Sequence, residues 1–134
     1  MNNQKLLGWV LRIAVAGEFL GHGMFALQGK KDWIAWVVKI AGTSDIFAAK
    51  FIFAVGILDI LVALLVLVVR PIPAVLLWAA FWGFWTALVR PLVGQPIWDF
   101  VERWANWGAP LALLLLSGWP TSLREWFRPK PASM

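Results

Sequence analysis

The sequence predicts an all-α protein, a polytopic membrane four-helix bundle with short interfacial helices, formed by one transmembrane domain over residues 1–134. Three observations carry this prediction. Of the 134 residues, 61% are hydrophobic and only 14% are charged, and the mean hydropathy is +0.75. Apolar runs occur at about 6–27, 46–69, 74–93 and 97–119, each near the roughly 20 residues that cross a hydrocarbon core about 30 Å thick. The basic residues cluster at the ends of these runs and in the connections between them. There they anchor the chain at lipid headgroups and set its topology.

The same composition excludes several functions. The net charge of +5 belongs to these anchoring residues and does not indicate nucleic acid as a partner. The chain has no cysteine, which removes disulfide exchange, iron–sulfur ligation and thiolate zinc sites. It has one histidine, so a haem held by two histidines would need a second chain. There is no phosphate loop, no nucleophile elbow and no metal-binding box.

The first span, Leu6 to Leu27, holds Arg12, Glu18 and His22 in an otherwise apolar helix. An ionisable group at bilayer depth costs roughly 2.5–3.5 kcal/mol on insertion scales, so it is expected to have a partner or a use. Ala14-Val15-Ala16 mimics a signal-cleavage site, but Arg12 interrupts the apolar region before it, and an uncleaved first span is expected. Gly17 and Gly21 form a small-xxx-small pair suited to close approach by a neighbouring helix. Glu18 and His22 stand one turn apart on one face, with Arg12 about 15 Å away along the axis.

The stretch 32–41 is apolar, Trp-rich and flanked by lysines, as expected of a short helix lying in the interface. Gly42 ends it, and Thr43 or Ser44 is placed to cap the second span. In that span Lys50 can snorkel, whereas Asp59 lies near the middle. Arg70-Pro71-Ile72-Pro73 is short enough to make spans two and three antiparallel neighbours. The third span carries Trp78, Trp82 and Trp85 at helical spacing and ends near Arg90. The fourth opens with Asp99, Glu102, Arg103 and Asn106 on one arc of about 100° and continues as plain hydrocarbon. Ser122-x-x-Glu125 is a capping-box pattern, which predicts a second interfacial piece at 122–128. Residues 129–134 read as a disordered tail.

Four crossings bring the end of span one, the end of span three and the start of span four to one side of the membrane. Glu18, His22, Asp59, Arg90, Glu102, Arg103 and Asn106 are therefore expected to form one polar pocket floored by Asp59. Arg12 lies in the other half, where Asp59 is its expected acidic partner. Loop basic residues weakly favour cytoplasmic termini.

Each feature supports a functional and a structural reading. Glu18 with His22 can be a proton donor–acceptor pair or a satisfied hydrogen bond. Asp59 can be a protonation site or the counter-ion of Arg12. The Asp99–Asn106 stripe can hold a ligand head group or form a salt-bridge network at a helix start. The tryptophan stripe can stack on a flat ring such as a quinone or simply pack. No metal site is expected, since Glu18-x-x-x-His22 alone lacks the ligands for one.

The first span, with Arg12, Gly17, Phe19-Leu20 and Gly23, resembles the opening of the DoxX-like family of small four-helix membrane proteins. Gly56-Ile57-Leu58-Asp59-Ile60-Leu61 is similar to the family's acidic residue in an apolar run, although Glu is usual there. Trp104-Ala105-Asn106-Trp107-Gly108-Ala109-Pro110-Leu111 resembles its last helix. The long first connection and the 11 tryptophans depart from that pattern. The resemblance implies association with membrane redox complexes, since family members include a subunit of thiosulfate:quinone oxidoreductase.

The functional expectation is a small subunit of a quinone-linked oxidoreductase in a bacterial inner membrane. Glu18, His22 and Asp59 would handle protons, and Trp82 and Trp85 would hold the ring. Arg12, Arg90, Glu102, Arg103 and Asn106 would complete the ligand site. Membrane lipid and either a partner subunit or a second copy are the expected partners. The alternative is an accessory or anchor subunit without chemistry of its own. A small-solute transporter is a weaker third reading, because four spans leave little room for alternating access.

Overall fold

Helix starts and stops follow the polar residues at the ends of the apolar runs. Asn2 accepts the backbone N–H of Lys5 at 2.9 Å and opens α1 (Asn3–Leu27). Gly42, in the left-handed conformation, closes α2 (Lys31–Ala41), as expected of a residue free of a Cβ clash there. Ser44 caps α3 (Asp45–Val68) through Phe47 N–H. Pro73 occupies the first turn of α4 (Pro73–Leu92), where its missing N–H costs nothing. The computed structural model describes residues 1–130, and all regular secondary structure among them is helical. Helices α1, α3 and α4 are long and apolar enough to cross a membrane.

The fourth apolar run departs from the expected single span. It forms α5 (Ile97–Val101) and α6 (Trp104–Leu116), with a turn at Glu102–Arg103 between them. At the break the backbone tightens to three-residue bonds: Arg103 N–H donates to Phe100 at 3.2 Å, and Asn106 N–H to Arg103 at 2.9 Å. The Arg103 side chain folds back onto the Asp99 carbonyl at 2.8 Å and pairs with the Glu102 carboxylate. The 13 residues of α6 span only about 20 Å.

Helix α1 packs chiefly on α3, and α4 on α6. The close approach between α1 and α3 is made by Gly23 and Gly56. A Cβ on Gly56 would lie 2.9 Å from the Leu27 nitrogen and 3.0 Å from the Gly23 carbonyl oxygen. Gly17 and Gly21, the pair singled out from the sequence, face open space instead. On the other side Gly83 lies against the backbone of Asn106 and Trp107. Pro110 explains the exposed carbonyl there, because it lacks the N–H that Asn106 would otherwise bond four residues on.

The core fills the half of the fold nearer the start of α1. Val15, Phe19, Val62, Val66, Leu76, Ala79, Leu113 and Leu114 are buried together in it. Outward-facing positions remain apolar: Ile13, Leu20, Phe53 and Leu64 are each half or more exposed.

The second interfacial piece expected from the sequence, 122–128, forms only a single helical turn, α7 (Leu123–Trp126). Ser122 accepts Glu125 N–H at 3.4 Å, but the Glu125 carboxylate reaches back to the Thr121 N–H at 3.0 Å, one residue earlier than the capping-box pattern implies. The expected free tail is fixed at its start, where Lys130 N–H donates to the Pro71 carbonyl at 2.9 Å. The rest of that tail, 131–134, lies outside the described residues.

Candidate functional site

A cavity of about 280 Å³ opens in the half of the bundle opposite the core. Its walls come from α3 and α4, with His22 of α1 at one side and α2 laid across it. Of the residues expected to form a site, His22, Asp59, Trp82, Trp85 and Arg90 line this cavity.

Asp59 is the deepest polar group. It is 2% exposed, and one carboxyl oxygen, Oδ1, has no hydrogen-bond partner. A buried polar atom left without a partner costs about 1–3 kcal/mol, and such atoms are rare in folded proteins. The Trp33 Nε1, also on the cavity wall, is a buried donor without an acceptor. Two residues of the cavity lining thus each keep a buried polar atom unpaired, an acceptor on Asp59 and a donor on Trp33, as do the Trp78 and Trp107 indoles outside it.

Arg90 and His22 also line the cavity. Arg90 is 6% exposed; it donates to the Thr86 carbonyl at 2.5 Å and lies 5.4 Å from the centre of the Trp36 ring, within cation–π range. His22 meets the Trp33 ring edge to face at 5.7 Å. It faces the charges of Arg90, Arg103 and Lys30.

Helix α2 supplies the wall that sequence reading missed. Trp33, Trp36, Val37 and Ile40 recur at helical spacing and turn inward onto the cavity. The spacing was visible in the sequence, but an apolar stripe on a short helix fits a lipid surface equally well. Lys39 ties α2 to α4 by donating to the Val93 carbonyl at 3.0 Å, at a helix C-terminus where a cation is favoured. Ala41 of α2, Phe47, Phe51, Ile52 and Val55 of α3, and Thr86 and Val89 of α4 complete the lining.

Several expected site residues lie elsewhere. Arg12 does not pair with Asp59. Its Nε donates to the Val66 carbonyl at 2.8 Å, and its Nη2 to Leu67 at 2.8 Å and Val69 at 2.6 Å. The Trp9 ring lies 4.3 Å away on its other side. The reason lies in the following turn: with Pro71 and Pro73 there, the last carbonyls of α3 lack local donors, and Arg12 serves them.

Glu18 is half-buried and within electrostatic reach of Asp59, but it does not line the cavity. Among the described residues it makes no hydrogen bond or ion pair with His22, so the expected donor–acceptor pair is not formed. Glu102 and Arg103 pair with each other at the α5–α6 break, and Asn106 offers its backbone to Gly83. The fourth-run stripe is therefore a structural network beside the site rather than part of its wall. No group of three or more His, Asp or Glu side chains that could hold a metal occurs among the described residues.

No family model, no curated protein and no solved structure matches this chain.

Proposed function

We propose that this chain is a membrane-embedded four-helix subunit of a quinone-linked oxidoreductase, and that the cavity holds the quinone ring. In this reading α1, α3 and α4 cross the bilayer, and α5 with α6 makes the fourth crossing. The membrane is a bacterial inner membrane, with both termini cytoplasmic. The outward-facing Ile13, Leu20, Phe53 and Leu64 suit a hydrocarbon solvent and not water.

The observation that carries the reading is that Asp59 and Trp33, whose Oδ1 and Nε1 are buried without partners, both line a chamber walled by indoles. Pockets for small ligands combine apolar, aromatic walls with a few placed polar groups. A flat ring fits between Trp82, Trp85 and Trp36, where stacking and edge contacts favour it. Trp33 then donates to one ring oxygen. Asp59 gives or takes a proton at an oxygen beside it, and His22 and Arg90 stand on the mouth side, where protons and water arrive. A bound quinone supplies the electron-accepting couple. The chain has no cysteine and a single histidine, so electrons reach the ring from a partner subunit. The resemblance to DoxX-like proteins points the same way.

Quenching of indole fluorescence by a tailless benzoquinone, titrated into the purified protein, tests the reading. Saturable quenching is expected. Asp59→Asn and Trp33→Phe should each weaken binding about tenfold, the equivalent of roughly one hydrogen bond. Equal binding by wild type and both variants, or no saturation, would sink the proposal. A large partner recovered from native membrane with an empty cavity would favour the anchor reading.

A further inference from the structure

The α3–α4 seam is lined at two levels. Above Asp59 it forms the walls of the cavity. Below Asp59 lies a separate, shallower furrow of about 500 Å³, walled by Leu58, Leu61 and Leu65 of α3 and by Ala74, Val75 and Trp78 of α4 and sharing no lining residue with the cavity. The two levels share their stripes. Val55, Asp59, Val62 and Leu65 follow one another at helical spacing along α3, and Val75, Trp78, Trp82 and Val89 do so along α4. The stacked rings of Trp78 and Trp82, 5.4 Å apart and 13° from parallel, stand at the junction.

Direct packing across the seam is sparse, because α3 packs mainly on α1 and α4 mainly on α6. The mouth at the membrane surface is different. There α2 lies across the cavity, held by Lys39 on the Val93 carbonyl and by Trp36 beside Arg90.

We infer that the cavity is entered sideways from the bilayer through the α3–α4 seam, and that its ligand carries a long hydrocarbon tail lying in the lower furrow. This inference rests on the ring-binding reading above and adds the class of ligand. A chamber of about 280 Å³ has room for a ring but not for a ring with its tail. The furrow begins within one turn of Asp59 and runs about 9 Å along α3 to Leu65. Its lining side chains are hydrocarbon apart from the Trp78 indole, whose buried Nε1 has no partner, and a saturated or isoprenoid chain matches those apolar walls.

The test uses a benzoquinone bearing a decyl tail that ends in a diazirine, added to the full chain in lipid nanodiscs and irradiated. Adducts are then located by peptide mass spectrometry. They are expected on the furrow residues of α3 and α4, and an excess of tailless benzoquinone should displace them. Leu61→Phe and Val75→Phe, which narrow the furrow from opposite sides, should each abolish furrow adducts and leave binding of the tailless ring unchanged. Adducts scattered over outward positions such as Phe53 and Leu64, in a protein that still binds the tailless ring, would overturn this inference alone. Furrow adducts that the tailless ring does not displace would overturn the link to the cavity and leave a groove for lipid chains. Failure of the tailless ring to bind at all would overturn both this inference and the reading it rests on.

Discussion

Arg12 and Asp59 both stand inside long apolar helices, and the two halves of the bundle treat them in opposite ways. In the half that holds the core, the Arg12 guanidinium makes three hydrogen bonds to the exposed end of α3. In the other half, Asp59 is more deeply buried, yet one of its oxygens has no partner. Burial of an ionisable group therefore does not by itself mark a site. The discriminating feature is whether its donors and acceptors are used within the fold. Arg12 completes a helix terminus, whereas Asp59, in the lining of a cavity, keeps an oxygen unpaired.

This contrast yields stability changes of opposite sign. Arg12→Met removes the donors of three carbonyls and should lower stability by about 2–4 kcal/mol, read as a loss of unfolding free energy in detergent. The folded fraction should bind the tailless ring as wild type does. A variant as stable as wild type would show that water or lipid headgroups serve the α3 carbonyls equally well. Asp59→Leu replaces an unpartnered polar group with hydrocarbon and should raise the stability of the empty protein by about 1 kcal/mol while abolishing ring binding. A destabilised Asp59→Leu protein would erase the contrast, because it would mean that Asp59 already serves the fold.

The smallest expected effect lies outside the bundle, where the partnering is complete but exposed. The Thr121 backbone N–H, with Lys130 nearby at 3.7 Å, holds the Glu125 carboxyl below its ordinary value of 4.5. A carboxylate with a lowered folded pKa contributes stability above the ordinary value and loses it as pH falls through the folded value. Amide exchange across 121–127, corrected for intrinsic rates, should accelerate on acidification below that range. The change should be absent in Glu125→Gln and should leave α1 and α3 unaffected. Unchanged exchange in the wild type would mean that α7 is held by Trp119 against Trp126 rather than by the carboxylate.

Much of the helical layout was legible in the chain. The spans expected at 6–27, 46–69 and 74–93 fall within three residues of α1, α3 and α4, because unbroken apolar runs of that length leave few alternatives. The helix at 32–41 was legible from its apolar, Trp-rich stretch between lysines and the Gly42 that ends it. The fourth run was not, since its break depends on Arg103 folding back onto Asp99 and Glu102, an arrangement of rotamers that periodicity does not encode. Glycine spacing misled for a related reason. Gly17 and Gly21 satisfy the local pattern, but the rotation of α1 places Gly23 against Gly56.

By itself the sequence determined that the chain is helical, where its long apolar helices run, and which few ionisable residues had to be accommodated inside them. Those properties follow from hydrocarbon length and local capping. Only the tertiary structure decided how each was accommodated. It gave Arg12 to the α3 carbonyls, separated Glu18 from His22, and left Asp59 unpaired in the lining of a chamber that α2 covers. Partner choice depends on helix rotation, depth and pairing, and these are fixed by contacts between residues far apart in the chain.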